Sequence, residues 1–290
     1  MVKPTNNSSS KWNLAMVPLA AEPIFHIGHF PVTNTMLNAW VAVIFFCVVA
    51  FVASRRTSLV PKGIHNFIEL VIDGLLKQAE KVTGSKSKAK AFFPLVATIF
   101  LFVLVSNWMG LIPGTGTIGM WQLVHGEAEL IPLFRPATSD LNLTLAIAAF
   151  AVIMTHVVGI KALGVGEYFS KFFNFRGLWR SLKKGPMAIM VAGIEFFVGL
   201  LEIISEFAKT LSLSLRLFGN VFAGEILIGV MMSLISFVVP IPFIFLEILV
   251  GVIQATVFAM LVLVYLTVAT AKHGHDDAGH DEHPQVAHAH

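Results

Sequence analysis

Arg216 stands in the stretch LSLSLRLFGNVFAGE, Leu211 to Glu225, and from Met187 to Pro242 the chain around it is mostly Ile, Leu, Val, Phe, Ala and Gly. A charge at membrane depth costs about 2.5 to 3.5 kcal/mol even on a lenient insertion scale, so it demands water, a partner or a function. At about 100° per residue, Glu202, Ser205, Lys209, Ser212, Arg216 and Asn220 fall within roughly 40° of one line on a helix. Glu225 comes out on the opposite side by the same arithmetic and faces a different neighbour. A lone Ser or Asn in such a helix is as readily a packing group as a functional one, satisfied by an interhelical hydrogen bond. An arginine with two glutamates and a lysine reads differently: the carboxyl groups exchange protons while the guanidinium keeps its charge at every physiological pH.

A second polar set lies downstream. Glu247, Gln254 and Tyr265 fall on nearly one face of the last apolar segment. An antiparallel hairpin closed at VVPIP, Val238 to Pro242, brings Gln254 alongside Arg216 and Glu247 alongside Glu225. Two carboxylates placed that way in a partly wet cavity titrate as a coupled pair and suit proton relay; a structural pair sharing one proton is the alternative.

The elements that must position these groups are membrane helices. Of 290 residues, 56% are hydrophobic and only 13% charged, against about 25% charged in soluble globular chains. The net charge of +3 points to no nucleic acid. The single cysteine, Cys47, sits in an apolar run, so no intrachain disulfide can form.

Met1 to Lys11 is polar, and the weakly apolar piece after it is broken by Pro18, Pro23 and Pro31. It lacks the pattern of a signal peptide, and residues 1–33 read as an extramembrane arm. A first span covers about Asn34 to Ala53 and is stopped by Arg55 and Arg56. Pro61 to about Thr83 alternates apolar residues with Glu69, Asp73, Lys77 and Lys81 at helical spacing, the pattern of an interfacial amphipathic helix, with a buried partner helix as the alternative. A second span, Phe92 to Ile112, ends in SNWMGLIPG, where Gly110, Pro113 and Gly114 stop it. The loop Thr115 to Ser139 holds one basic residue, Arg135. A third span, about Asp140 to Ile160, starts at PATSDLN with Asp140 or Ser139 as cap, and carries Asn142, Thr144 and His156 as its polar interior positions. A basic, aromatic loop follows, with Lys161, Lys171, Arg176, Arg180, Lys183 and Lys184.

The segment from Met187 to about Phe237 holds roughly 50 residues, or roughly 75 Å of helix, against a hydrocarbon core of about 30 Å. It offers no proline or polar loop near its middle, so it is expected to be one long, steeply oblique helix. Phe243 to Ala271 is a last long span. The fold expected is therefore an all-α polytopic membrane protein: about five membrane-crossing helices plus the interfacial helix, the last two paired as an oblique hairpin. Residues 34–271 form the membrane domain. The Arg55 to Lys90 and Lys161 to Lys184 loops are rich in Lys and Arg, while the other two are nearly bare, which puts the N-terminus outside and the C-terminus in the cytoplasm. The tail, residues 272–290, carries six histidines among acids; no fixed ligand geometry is specified, and it reads as solvated. No metal or cofactor is expected.

SLRLFGNVFAGE, QATVFAMLVLVYL, NWMGLIPG, PATSDLNLTLA and TNTMLNAW closely resemble, in order and across most of the chain, subunit a of the bacterial F-type ATP synthase. The resemblance implies a multi-pass subunit of the bacterial inner (plasma) membrane, non-catalytic itself, that conducts protons beside a rotating c-ring. Its partners would be that ring, the peripheral-stalk b subunits and lipid, with no substrate other than the proton. Arg216 matches the family's essential arginine, Gln254 its glutamine neighbour, and Asn220 and Glu225 its outer half-channel polars. Glu202, Ser205 and Lys209 match positions associated with the inner half-channel. Glu247 stands where other members carry histidine, so the outer relay here would rest on two carboxylates. A secondary transporter or antiporter is the alternative class that uses midplane charges, but it is usually built from internal repeats, and this chain has no convincing one. A purely structural subunit would explain the spans but not the charge at depth.

Overall fold

The computed structural model describes residues 21–55, 63–112, 118–124, 127–170, 186–234 and 238–271. The basic residues Lys171, Arg176, Arg180, Lys183 and Lys184, the stop residues Pro113 and Gly114, and the histidine-rich tail lie outside them.

Among the described residues, seven helices carry the fold: α1 Asn34–Ser54, α2 Ile64–Thr83, α3 Lys86–Met109, α4 Leu141–Leu163, the short α5 Val165–Ser170, α6 Pro186–Leu234 and α7 Pro240–Ala269. Among the described residues, α1, α3, α4, α6 and α7 are long and apolar enough to cross a membrane. The chain is an all-α polytopic membrane protein.

Two antiparallel hairpins stand outside the helices, where the sequence suggested only an arm and a loop. Strands β1 (Pro23–Ile27) and β2 (Phe30–Thr33) form one. Strands β3 (Gly119–Val124) and β4 (Glu127–Pro132) form the other, in register from Gly119 opposite Pro132 to Val124 opposite Glu127. Only His125 and Gly126 separate β3 from β4, the two-residue spacing that favours a hairpin.

Caps fix where the helices begin. Thr33 accepts a hydrogen bond from the Met36 N–H at the start of α1. Asp140, not Ser139, caps α4: its Oδ1 accepts from the Asn142 N–H at 2.9 Å, while Oδ2 accepts from the Thr35 hydroxyl at 3.1 Å. One carboxylate therefore caps one helix and ties it to the start of another. Ser139 belongs instead to a 3₁₀ turn, Ala137–Ser139, fully buried between the helix ends. Gly84, at φ 63°, closes α2 in the left-handed region that glycine adopts without penalty.

The core lies where α3 and α7 pack together, with α2 and α4 against them. Phe92, Val96, Ile99, Phe100 and Val103 of α3 meet Ala255, Phe258, Ala259, Val262, Leu263 and Leu266 of α7. α2 contributes Leu75 and Ala79 to this core but leaves Leu70 and Ile72 exposed, as an interfacial helix seated on the bundle by one face would.

α6 is continuous over 49 residues, roughly 74 Å at 1.5 Å per residue. Its apolar stretch, 39 residues from Phe196 to Leu234, exceeds what an upright crossing of a hydrocarbon core of about 30 Å needs, as an oblique course would accommodate. It packs on α4 and α7 through a narrow ridge of Leu213, Ser214, Leu217 and Val221. Most of its other apolar side chains, such as Phe207, Leu211, Leu215 and Ile226, are exposed.

Candidate functional site

The α6–α7 hairpin sets the site. Asn220 Nδ2 donates to Gln254 Oε1 at 3.4 Å, and one turn further along the Glu247 carboxylate lies directly over Gly224, so close that a Cβ on that glycine would collide with it. These two contacts fix the antiparallel register. The expected neighbours of Gln254 and Glu247 were Arg216 and Glu225; the observed ones are Asn220 and Gly224, a shift of one turn for the first and one residue for the second. Gln254 is buried, and its Nε2 has no hydrogen-bond partner among the described residues.

Glu225 is bound by Arg135, the one basic residue of the loop before α4. Arg135 Nε lies 3.1 Å from Glu225 Oε1 and 3.3 Å from Oε2, and Nη2 lies 3.2 Å from Oε2. Arg135 is only 3% exposed. Its carbonyl accepts from Asn38 Nδ2 at 2.8 Å, which holds the segment between β4 and the 3₁₀ turn in place. Glu225 thus forms an arginine–carboxylate pair, in which the guanidinium fork reaches both carboxylate oxygens. Nearby, Thr138 donates to Asn107 Oδ1 at 2.8 Å, and Asn107 and the Trp108 ring abut Gly251 on α7. This polar region gathers α1, α3, α6, α7 and the 3₁₀ turn.

Arg216 sits between this region and a second one. It is exposed and takes part in none of the ion pairs among the described residues. Ser212 is exposed with it, and so are Ala208, Gly219 and Ala223, with open space where a Cβ on Gly219 would be. A guanidinium is therefore presented outward along a face of small residues that lets another helix come close.

The second region lies toward the start of α6. Glu202, Ser205 and Lys209 are half-buried. Lys209 Nζ lies 2.7 Å from Glu206 Oε1 and 5.4 Å from the centre of the Tyr265 ring. His156 on α4 brings Nε2 to 3.8 Å from Glu206 Oε2, and its Nδ1 shares a 2.6 Å hydrogen bond with the Tyr168 hydroxyl of α5. A cavity of about 180 Å³ opens among Thr155, Tyr168, Glu202, Glu206, Lys209 and Tyr265. Burial, with Glu206 and Glu202 adding to it, pushes the Tyr168 phenol up to about 12.

The structure thus gathers the sequence-derived residues into three places along one hairpin: Asn220, Glu225, Glu247 and Gln254 on one side, Arg216 and Ser212 at the exposed middle, and Glu202, Ser205 and Lys209 on the other side. Arg135, Glu206 and Tyr168 were not marked as site residues. Arg135 had a signal, as the one basic residue of an otherwise base-poor loop, and Glu206 stands three residues before Lys209.

Comparison with known proteins places this hairpin in a family. The family model described as ATP synthase A chain matches residues 36–267, which include every residue of the three places. A protein of Moorella thermoacetica named ATP synthase subunit a is 32% identical over 252 residues, covering 87% of this chain and 96% of its own length. Proteins with the same name from Geobacter sulfurreducens (36% identical, covering 80% of this chain and 86% of their own) and Gloeobacter violaceus (34%, covering 91% and 94%) are similar in extent. With a match across most of its length, both to the family model and to these relatives, the chain belongs to the ATP synthase subunit a family.

Proposed function

We propose that this chain is the proton-conducting stator subunit of a rotary F-type ATP synthase, with Arg216 separating two offset aqueous half-channels. The outer half-channel would be lined by Asn220, Glu225, Glu247 and Gln254, and the inner one by Glu202, Ser205 and Lys209, with Ser212 on the ring-facing surface. The observation that carries this reading is the outward presentation of Arg216 on a face of small residues, with a polar cluster on each side of it along α6.

The physics is that of a carboxyl group moving between lipid and protein. A ring carboxylate in hydrocarbon must be neutral, because an isolated carboxylate is too costly to bury there. Opposite a fixed guanidinium the ionised form becomes favourable, so the proton leaves on one side of Arg216 and is reloaded on the other. Arginine suits the position because it stays charged where a buried lysine deprotonates. Its charge also opposes hydronium passing directly between the half-channels, so conduction requires rotation. The driving energy is about 2.3 kcal/mol per charge per 100 mV.

The chain performs no bond chemistry itself. It works within the bacterial plasma membrane as a multi-pass subunit, against the ring, the peripheral-stalk b subunits and lipid. The Lys and Arg bias of its loops supports an orientation with the N-terminus outside and the C-terminus in the cytoplasm.

The test is Arg216→Ala in the native membrane, with proton-driven ATP synthesis and passive proton leak scored in parallel. Loss of synthesis with a leak no longer tied to rotation is the expected result; synthesis near wild type would overturn the reading.

A further inference from the structure

Beside Glu202, Ser205 and Lys209 lies a chain of groups that the stripe on α6 does not contain. His156 stands in an apolar helix, α4, and both of its ring nitrogens are engaged: Nδ1 with the Tyr168 hydroxyl at 2.6 Å, Nε2 with Glu206 Oε2 at 3.8 Å. The rings of His156 and Tyr168 meet edge to face, 6.0 Å between centres. Tyr168 is 5% exposed and seated against Gly159, where any side chain would strike its ring. Glu206 in turn holds Lys209 at 2.7 Å. Tyr168 and Glu206 both line the cavity of about 180 Å³, so an imidazole sits directly behind that cavity's polar wall.

Histidine is the side chain whose ordinary pKa, about 6.5, lets it load and unload protons near neutrality. We infer that His156, oriented by Tyr168 and paired with Glu206, is a proton-exchanging group of the inner cavity, collecting protons from water at its mouth and returning them. The inference rests on the proposed role of that cavity as the inner half-channel. The exchange balances simply. With hydrogen on Nδ1 donated to Tyr168 Oη, Nε2 presents its lone pair toward Glu206; a hydronium in the cavity gives one proton to Nε2 and becomes water, and the same N–H later gives that proton back. The imidazolium formed between the two events lies 3.8 Å from a Glu206 carboxylate oxygen. Among the described residues, the charged and titratable groups around the imidazole are Tyr168 and the exposed Glu167 on α5, Glu202, Glu206 and Lys209 on α6, and Tyr265 on α7, with Lys161 beyond it on α4. Tyr168 is a positioning residue here, holding the imidazole ring through Nδ1.

The experiment is ATP-driven proton uptake by inverted membrane vesicles bearing the assembled synthase, in which bulk pH sets the pH at the inner face. His156→Gln keeps hydrogen-bonding capacity but cannot titrate. Its initial rate is expected to fall about three- to tenfold at pH about 8, where hydronium is scarce, and less than about twofold at pH about 6. A profile superimposable on wild type, or one lowered equally at every pH, overturns the inference, because a packing role alone would produce the second. Should His156→Gln fail to assemble with the ring, Tyr168→Phe is read in its place: a displaced pH midpoint supports the inference and an unmoved one overturns it. Arg216→Ala measured in parallel separates the two levels. Normal pumping by Arg216→Ala removes the half-channel reading itself, whereas a dead Arg216→Ala beside an unaltered His156→Gln removes only the role of His156.

Discussion

Arg135 and Glu225 are 90 residues apart in the chain and meet as a forked pair, with Nε 3.1 Å from one carboxylate oxygen and Nη2 3.2 Å from the other. The arginine is almost fully buried and the glutamate about one-fifth exposed, at 22%. The pair joins the segment after β4 to the last quarter of α6, at the carboxyl group that the proposed proton relay would use.

Removing one member of such a pair leaves the other charge without compensation, which costs about 3 to 5 kcal/mol when fully buried and less here, where water reaches the glutamate. Arg135→Ala is therefore expected to lower the thermal stability of the purified complex strongly. Arg135→Lys should fall between, because an ammonium keeps the charge but loses the fork. Adding Glu225→Ala to Arg135→Ala should recover part of the loss, with a coupling of about 1 to 3 kcal/mol in a double-mutant cycle. Additive effects would mean that the two side chains do not interact in the assembled complex.

Gly224→Ala tests the hairpin register. The added methyl occupies the space of the Glu247 carboxylate, so that carboxylate must move or α6 and α7 must separate. Proton-driven synthesis is expected to drop by about tenfold or more, as displacement of a transfer group by about 1 Å does elsewhere. Gly219→Ala, which meets nothing within 4 Å in this chain, probes the outward face instead: impaired synthesis with normal stability of the isolated subunit would show that another helix uses that space. If Gly224→Ala conducts as wild type, Glu247 does not work from this position.

Much of this arrangement was legible in the sequence because it is local. The 3.6-residue period placed Glu202, Lys209, Arg216 and Asn220 on one line, and the lack of proline or polar loop between Met187 and Phe237 implied one long helix. A cap at Asp140 or Ser139 was readable from PATSDLN, and the structure decides for Asp140. What was not legible depends on contacts between segments. Glu206 falls roughly 80° off the stripe at 100° per residue, and only the approach of α4 gives it His156 as a partner. Arg135 looks like a loop cation until the 3₁₀ turn buries it. The strands on either side of His125 and Gly126 are short, and their pairing adds no periodic signal long enough to stand out. The neighbour of Gln254 depended on a register that helix geometry alone leaves free by a turn; the packing of α7 against Gly224 decides it for Asn220.

Arg216→Lys separates charge from chemistry at the exposed middle. If any cation sufficed, lysine would sustain synthesis. A lysine at membrane depth can shed its proton to avoid the cost of a charge there, and it lacks the planar fork. The variant is expected to lose at least about tenfold in synthesis at neutral pH, with partial recovery at lower pH, where the ammonium is kept. Wild-type synthesis across the range would show that the fixed charge of arginine is not what the position requires.

Asn220→Leu and Gln254→Leu address the side-chain hydrogen bond that links α6 and α7 near Arg216. Asn220→Leu leaves the buried Gln254 amide without its partner, which costs about 1 to 3 kcal/mol; Gln254→Leu leaves the half-buried Asn220 amide unpaired and costs less. The double variant replaces both with apolar groups and should be more stable than either single one. Proton conduction should nevertheless remain low in the double variant if these amides line a wet path, since stability and hydration of the path respond to opposite changes. Recovery of stability and conduction together would show that the amides serve packing alone.

Tyr168 makes the region around the first half of α6 sensitive to alkali in a direction that can be worked out. Burial, and the carboxylates of Glu206 and Glu202, hold the phenol protonated to about 12, whereas an unfolded tyrosine ionises near 10. The folded state therefore keeps a proton that the unfolded state gives up, and stability falls with rising pH wherever the unfolded state binds fewer protons. The contribution is fully present below about pH 10 and is lost as pH climbs toward about 12. Tyr168→Phe has no such proton, so its thermal stability should decline less steeply than wild type between those limits. It should also be lower than wild type near neutral pH, since it forfeits the 2.6 Å hydrogen bond to His156. The two stability curves are thus expected to converge as pH rises. Parallel curves from neutral pH to about 12 would mean that Tyr168 ionises in the folded protein as it does in water, and that its seat between α4 and α6 is wetter than the packing against Gly159 requires.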